Sequence, residues 1–213
     1  MNLSINEKLR QENIAFLQKE GFPYNKNLPL LDIEECCKTE KEIADRINIL
    51  HIFYAIYLEG KKSKKFFYNL IKDEGWASHL SKSEKSLLNG LFLKEKDVIQ
   101  FSWLKENIFI LLWSANNNIQ NINKTDEIDI AEIYQEIPPE MGYSNFIKSL
   151  ELRPLHEILK ELDLYYNLHW IAKHSEELNL NKELNLSVII ERRKALEWVL
   201  DKTVDWDDIV LDT

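Results

Sequence analysis

Glycine and proline are scarce in this chain, with five of each among 213 residues. Sandwiches and barrels need many tight turns, which these two residues supply, so their scarcity favours a helix-rich fold. The glycines also lie too far apart for a phosphate-cradling loop, which needs several of them within a few residues. We therefore expect neither a β-rich fold nor a nucleotide-binding loop of this kind.

Cysteine is rarer still, and its two copies, Cys36 and Cys37, are adjacent. Neighbouring cysteines seldom bond to each other, and this pair lacks the spacing of zinc and redox motifs. No serine stands in the Gly-x-Ser-x-Gly turn that carries the nucleophile of many hydrolases. The sequence therefore gives little support to a disulfide or to nucleophilic catalysis.

Residues that could bind a metal gather in one part of the chain, but without the spacing of a metal site. The candidates are His156, Glu157, Asp163, His169 and His174. None of their spacings matches a signature such as His-Glu-x-x-His, and His169 points away from His174 around a helix. We expect no metal and no other cofactor.

Long hydrophobic runs are missing as well. The longest, Ile108–Trp113, is far too short to span a membrane. The start of the chain, Met1–Asn13, is polar and does not resemble a signal peptide. Because 45% of the residues are apolar and 11% aromatic, the chain can build a sizeable core. We expect a soluble, cytoplasmic protein without a membrane interaction.

The net charge of −9 is unevenly distributed. Residues 1–100 carry 16 Lys/Arg and 15 Asp/Glu, whereas residues 101–213 carry 11 and 21. Nucleic-acid binding needs clustered cations, and the one run, at Lys61, Lys62, Lys64 and Lys65, is typical of a solvated helix start. Region 125–147 holds acids but no Lys or Arg. This acidic surface is compatible with a basic protein partner, but solubility alone explains it more simply.

Helical periodicity and capping signals predict an all-α fold of about eight helices in one compact domain, residues 1–213. Three helix starts carry a capping box, in which Ser or Thr is followed three residues later by Glu. The predicted helices begin near Ser4, Thr39, Lys62, Ser81, Ser102, Ile128, Asn145, Pro154 and Ser187. The one from Pro154 runs to Leu178 or restarts at Asp163. Residues 22–38 are predicted to form an extended connector.

Two of these helices contain a charged residue where an apolar one is expected. Helix Ser102–Ala115 is apolar on nearly every side and is predicted to be central, yet it contains Glu106. In helix Ser187–Leu200, Arg192 lies in the middle of the apolar arc. A guanidinium cannot be buried unpaired, so we expect Glu106 to neutralise Arg192 or Arg46, which lies at the border of the core.

The segment Asp163–Leu178 presents a second candidate feature. Asp163, Asn167, Trp170 and His174 fall on one line of a helix, apart from its leucine-rich packing face. They could line a binding groove in which a carboxylate orients His174 as a base. The alternative is that this face packs against a second layer of helices through ordinary hydrogen bonds.

Acidic and apolar residues alternate in the tail, residues 205–213. We expect the tail to dock through Trp206, because an exposed tryptophan beside three aliphatic residues would be costly. The tail carboxylates, which belong to Asp205, Asp207, Asp208 and Asp212, could then meet Arg192, Arg193 or Arg153. A free acidic tail that recruits a partner is the alternative.

An ordered set of motifs resembles a known family over nearly the whole chain. The motifs are Gly21-Phe22-Pro23, Phe101-Ser102-Trp103 with Glu106, Leu152-Arg153-Pro154 with Glu157, Asp163-Leu164-Tyr165-Tyr166 with His169-Trp170, Glu191-Arg192-Arg193 with Trp198, and Trp206-Asp207-Asp208 with Asp212-Thr213. They are similar to a family of uncharacterised bacterial proteins known as domain of unknown function 4272, which implies no activity. Where that family usually has an arginine, this chain has Asn167.

These observations lead to one candidate polar cluster and two functional hypotheses. The cluster comprises Arg46, Glu106, Asp163, Asn167, Trp170, His174, Glu191, Arg192, Trp206, Asp207 and Asp208. The leading hypothesis is a non-catalytic bacterial binding protein of regulatory or toxin-neutralising type, with a basic protein partner. The alternative is a small hydrolase-like enzyme with His174, Asp163 and Glu106 around a cleft near Arg192.

Overall fold

The computed structural model of the chain describes residues 4–31, 37–60, 63–90, 95–116, 118–120, 122–138 and 142–212, leaving aside the side chains of residues 95, 96 and 98. The fold is all-α, which confirms the expected class. Its helices are α1 Ile5–Lys19, α2 Glu40–Glu59, α3 Lys64–Asp73, α4 Lys82–Asn89, α5 Glu95–Ser102, α6 Leu104–Ala115, α7 Tyr143–Ser149, α8 Leu155–Lys173 and α9 Leu186–Leu200. Cys36, Lys61, Lys62, Glu140 and Thr213, singled out in the sequence, lie outside the described residues.

The predicted capping boxes are confirmed at the starts of α1, α2 and α4. At α1, the Ser4 N–H donates to the Glu7 carboxylate at 2.7 Å, and the Glu7 N–H donates back to the Ser4 hydroxyl at 3.2 Å. Two of the backbone N–H groups that a helix start leaves unpaired are satisfied in this way. These local contacts explain why the sequence located these three starts so well.

Helix α6 is the centre of the fold, as predicted. From Glu106 to Ala115 every residue of it is buried. It packs against α2 on one side and α9 on the other, while α9 packs on α8 and α8 on α1. A row α2–α6–α9–α8–α1 therefore forms the body. Among the described residues, none of the helices has both the length and the apolar character needed to cross a membrane.

The predicted helix Ser102–Ala115 begins too early, because the chain turns at Trp103 between α5 and α6. Helix α5 was not predicted at all. Its eight residues have no start signal of their own, but α5 packs on α2 and buries Phe101 against the core. Tertiary packing, more than local preference, makes such short segments helical.

The predicted helix Ile128–Glu136 is wrong. Two short 3-10 turns, Ile130–Glu132 and Tyr134–Glu136, occupy this stretch. Its first backbone groups bind side chains of the core instead, since the Ile128 N–H donates to Glu106 and the Asp126 carbonyl accepts from Arg192. These contacts hold the start of the stretch against α6 and α9, and 3-10 hydrogen bonds follow, such as that from the Glu132 N–H to the Asp129 carbonyl at 2.9 Å.

Helix α8 passes through Asp163 without a restart and ends at Lys173, before the predicted Leu178. Beyond it, Asn179 adopts a left-handed conformation with φ of 49°, which asparagine tolerates better than most residues. Pro154 is the residue that precedes α8, where its missing N–H does no harm. Residues 22–31 form the start of the expected connector, with Phe22 and Leu28 buried against the helices.

Candidate functional site

The predicted pair of Glu106 and Arg192 is confirmed. Arg192 Nε donates to Glu106 Oε2 at 2.8 Å, and Arg192 Nη2 lies 2.7 Å from the same oxygen. The two side chains are 0% and 1% exposed, so water does not reach them. A buried carboxylate without a cation would be strongly unfavourable, and so would a buried guanidinium without an anion.

The remaining polar atoms of this pair are satisfied by the backbone and by one tyrosine. Arg192 donates to the carbonyls of Asn123 at 2.5 Å and Asp126 at 2.8 Å, and to the Tyr165 hydroxyl at 3.0 Å. Burial raises the pKa of Glu106, an effect that Arg192 opposes, and burial raises the pKa of Tyr165. The pair joins α6, α8 and α9 to residues 123–128, which follow α6. Because both side chains are buried, a ligand cannot reach them.

Asp163 belongs to a different cluster, between α8 and α1. Arg10 binds its carboxylate with Nε at 2.9 Å and Nη2 at 2.8 Å, and Asn13 donates to it at 2.9 Å. The Asn167 amide donates to the Asp163 carbonyl at 2.7 Å. Both Asp163 and Asn167 are buried. Arg10 was missed in the sequence, although it adjoins Leu9 on the buried side of α1.

His174 and Trp170 lie at the other end of the same face. Their rings stack with centroids 4.8 Å apart, and His174 Nδ1 lies 2.8 Å from the Trp170 carbonyl. Asp163 is about two turns from Trp170 and about three from His174 along the chain, and it is already bound to Arg10. The carboxylate therefore does not orient the imidazole, and the four residues split into a buried pair and a half-buried stack.

A second buried arginine, Arg193, faces α8 and the tail. Its Nε donates to Glu197 at 2.7 Å, and its Nη1 lies 2.7 Å from His169 Nδ1. Since a guanidinium can only donate, Nδ1 must accept, which makes His169 the neutral tautomer with its proton on Nε2. Burial and Arg193 lower the pKa of His169 to about 4. Arg193 Nη2 also donates to the Asp212 carbonyl at 3.0 Å.

Arg46 does not meet Glu106, the alternative partner that the sequence allowed. Its Nη1 donates to Glu84 at 2.7 Å and its Nη2 to the His79 carbonyl at 2.7 Å. Its guanidinium lies 5.0 Å from the ring centre of Trp206, close enough for a cation–π contact. Arg46, which belongs to α2, therefore contacts both α4 and the tail.

The tail docks through Trp206, as predicted. This side chain is buried and meets Trp198 edge-on, with ring centres 5.6 Å apart. The expected arginine partner is confirmed for one tail acid, since Asp212 lies 3.8 Å from Arg193. It is wrong for Asp207, which accepts from the N–H and the hydroxyl of Ser83, both at 2.8 Å, at the start of α4. Partial burial acts to raise the pKa of the Asp207 carboxyl, but the hydrogen bonds from Ser83 help to lower this pKa below its usual value. Asp208 lies 4.0 Å from Lys82.

Glu191 is half-buried on α9, beside the contact with α6. Its backbone carbonyl accepts from the Asn107 amide at 2.7 Å. Burial raises the pKa of its carboxyl, and Lys194 one turn later opposes this. The structure thus distributes the predicted cluster over several separate places, and the residues named for a hydrolytic cleft do not share one.

Two of the surface openings border these clusters. The first, which we call the tail groove, has a volume of about 770 Å³ between α9, the tail and the connector. Leu30, Leu162, Leu200, Ile209 and Val210 are among its apolar lining residues, and Glu197, Asp201, Asp208 and Asp212 are its acids. The second, of about 740 Å³, lies between α2, α4, α5 and α9.

Comparison of the chain with known proteins gives a match to a family model. No curated protein and no solved structure matches the chain. One family model does, over residues 9–209, and it is described as a domain of unknown function (DUF4272). That match spans α1 to the docked tail, including both arginines of α9. The chain therefore belongs to the DUF4272 family.

Proposed function

We propose that this protein is a non-catalytic binding protein of the bacterial cytoplasm, and that its tail groove takes a basic, partly apolar segment of a protein partner. The observation that carries the proposal is the composition of this groove, in which an apolar floor meets an acidic rim. A regulatory or toxin-neutralising role would use such a surface.

The floor of the tail groove leaves apolar atoms in contact with water. Val210 is 77% exposed and Leu30 is 44% exposed. Exposed apolar side chains next to one another in a concave surface are typical of interaction sites. A partner that covers them gains free energy from apolar burial.

The charge of the rim selects a positive partner. Of the two cations that line the groove, Arg193 is already paired with Glu197 at 2.7 Å. Asp201 and Asp208 are exposed, and Asp212 has 94% of its side chain in water. Arg193 also lies 3.8 Å from Asp212, and Lys82 lies 4.0 Å from Asp208, while Lys202 is the second cation of the lining. Four acids thus face two cations in the lining of the groove. Such an excess of carboxylates attracts lysine and arginine side chains and repels acidic partners.

A fluorescence-anisotropy titration tests this proposal with a labelled peptide of about 12 residues that combines lysine with leucine at helical spacing. The full chain should bind this peptide more tightly than a counterpart in which glutamate replaces every lysine. The double variant Asp208→Asn with Asp212→Asn should weaken binding about fivefold, in line with the modest strength of exposed ion pairs.

The matched control is Glu132→Gln with Glu177→Gln, which removes two exposed acids outside the groove. Equal weakening by both double variants would show that only net charge matters, and would overturn the proposed site. Failure of Val210→Ser to weaken binding at all would remove the apolar half of the argument.

A further inference from the structure

Lys194 on α9 is a cation for which the described part of the protein supplies no anion. Its ammonium lies 4.9 Å from the centre of the Trp206 ring. Among the residues that the structure describes, no carboxylate oxygen comes within 4.0 Å of Lys194 Nζ, and no acceptor takes a hydrogen bond from it. The side chain is only partly exposed, so water replaces these partners incompletely.

The acids nearest to Lys194 are committed elsewhere. Asp207 accepts from Ser83 with both of its oxygens. Glu84 accepts from Arg46 at 2.7 Å and from the Ser81 N–H at 2.8 Å. Burial lowers the pKa of Lys194, and Glu191 and Asp207 oppose this shift without reaching the ammonium. Lys194 is also one of the residues that line the adjoining opening.

That opening is the second one described above, and we call it the Lys194 cavity. Its volume of about 740 Å³ lies within the range of small-molecule sites. Leu50, Phe53, Phe101 and Leu104 give it an apolar wall. The rings of Phe53 and Phe101 are in contact, with centres 5.4 Å apart. Trp206 lines the same cavity next to Lys194, so aromatic surface stands on two of its sides.

Three acids and two cations line the Lys194 cavity, and two of the acids are already bound by other groups. Glu84 and Asp207 line it, but Arg46 neutralises the first and the Ser83 donors hold the second. Asp97, a third acid of the lining, has an interaction of its own. Lys82 stands at the exposed rim with 83% of its side chain in water. A ligand carboxylate would therefore find Lys194 inside and Lys82 at the entrance.

We propose that the Lys194 cavity binds a small aromatic carboxylate, with its carboxylate on the Lys194 ammonium and its ring among Phe53, Phe101 and Trp206. The carboxylate would supply the charged acceptor that the chain does not, and such charge-assisted hydrogen bonds are among the stronger polar contacts. The ring would cover apolar and aromatic surface. None of the residues lining this cavity lines the tail groove, so this proposal stands apart from the proposed function.

Isothermal titration with 2-naphthoate and with its neutral counterpart 2-naphthamide tests the proposal on the full chain. The unaltered protein should bind naphthoate at least tenfold more tightly than the amide, about 1.4 kcal/mol. Lys194→Met should abolish that preference while the amide still binds. Lys8→Met, which removes an exposed lysine of α1, should leave the preference intact.

A second variant locates the ligand independently of charge. Leu87→Trp fills the Lys194 cavity from its half-exposed side and should weaken both ligands at least tenfold. An unfolding curve for each variant establishes that it is folded before the titration is read. The proposal is overturned when naphthoate and naphthamide bind equally, when Lys194→Met retains the preference, or when naphthoate does not bind at millimolar concentration.

Discussion

Two of the three cations of helix α9, Arg192 and Lys194, have very different surroundings. Arg192 faces the interior, where Glu106, Tyr165 and two backbone carbonyls use its donors. Lys194 faces the cavity, where the described residues offer it an aromatic ring and no anion within 4.0 Å. The fold therefore pairs the charge of Arg192 with a carboxylate, whereas Lys194 has no carboxylate within 4.0 Å among the described residues.

The difference teaches how to separate architecture from function in this protein. Buried polar groups in a stable fold are paired, so a fully paired ion such as Arg192 needs no ligand to explain it. A partly buried ion without a partner needs another explanation, and a cavity beside it supplies one. Arg10, Arg46 and Arg193 resemble Arg192 in that each meets a carboxylate, although the Nε of Arg46 has no hydrogen-bond partner among the described residues.

Removing the partner of Arg192 should produce the largest effect. Glu106→Gln leaves a guanidinium in a place without water and takes a charged acceptor from the Ile128 N–H. We expect a loss of about 3–5 kcal/mol in the free energy of unfolding, measured by urea denaturation. Glu127→Gln, which breaks the more exposed pair with Lys105, should cost less than about 1 kcal/mol. Similar losses for both would show that the interior pair is not special.

Arg193 offers an intermediate case, because its partner His169 changes charge with pH. The fold depresses the pKa of His169 from 6.5 to about 4, so the unfolded chain binds more protons between these values. Stability from this residue is complete above pH 6.5 and falls as the pH drops toward 4. The expected loss from pH 7 to pH 5 is roughly 2 kcal/mol.

The variant His169→Asn, whose side-chain oxygen can take the place of Nδ1, should lack this part of the pH dependence. The exposed His156 gives the matched control, and His156→Asn should follow the unaltered protein at both pH values. Parallel stability curves for His169→Asn and the unaltered protein would contradict a neutral, buried His169.

Removing the charge of Lys194 should have the smallest effect on stability. Lys194→Met takes away an ammonium that lacks a hydrogen-bond partner among the described residues and keeps most of the apolar stem over Trp206. The free energy of unfolding should change by less than about 1 kcal/mol. A loss above about 2 kcal/mol in the same urea titration would show that the fold itself uses this charge, and the comparison with Arg192 would fail.

The pairing of Glu106 with Arg192 could be predicted because each stands out in its own helix. Glu106 is an acid in an apolar helix, and Arg192 is a cation at the centre of an apolar arc. Two such exceptions in two buried helices have to neutralise each other. The partner of Asp163 could not be found in this way. Arg10 lies 153 residues away in the chain, and it stands at the edge of the apolar face of α1, where a charged residue is not an exception.

Local signals determined most of the helix starts, while packing decided the segments without them. The capping boxes at Ser4, Thr39 and Ser81 work within four residues, so they are legible in the sequence. Helix α5 and the 3-10 turns after Ile128 depend on what they touch. Periodicity cannot reveal that an N–H is already used by a carboxylate from another helix.

The sequence by itself determined the helical class, the central helix and the need for a buried ion pair, because composition, periodicity and the cost of an unpaired charge act within single helices. The order of its motifs indicated the family. Only the tertiary structure decided that Asp163 and His174 serve different places, that Asp207 binds the start of α4, and that Lys194 opens on a cavity. Whether a polar group is satisfied depends on atoms brought from distant parts of the chain, and that is a property of the packed structure alone.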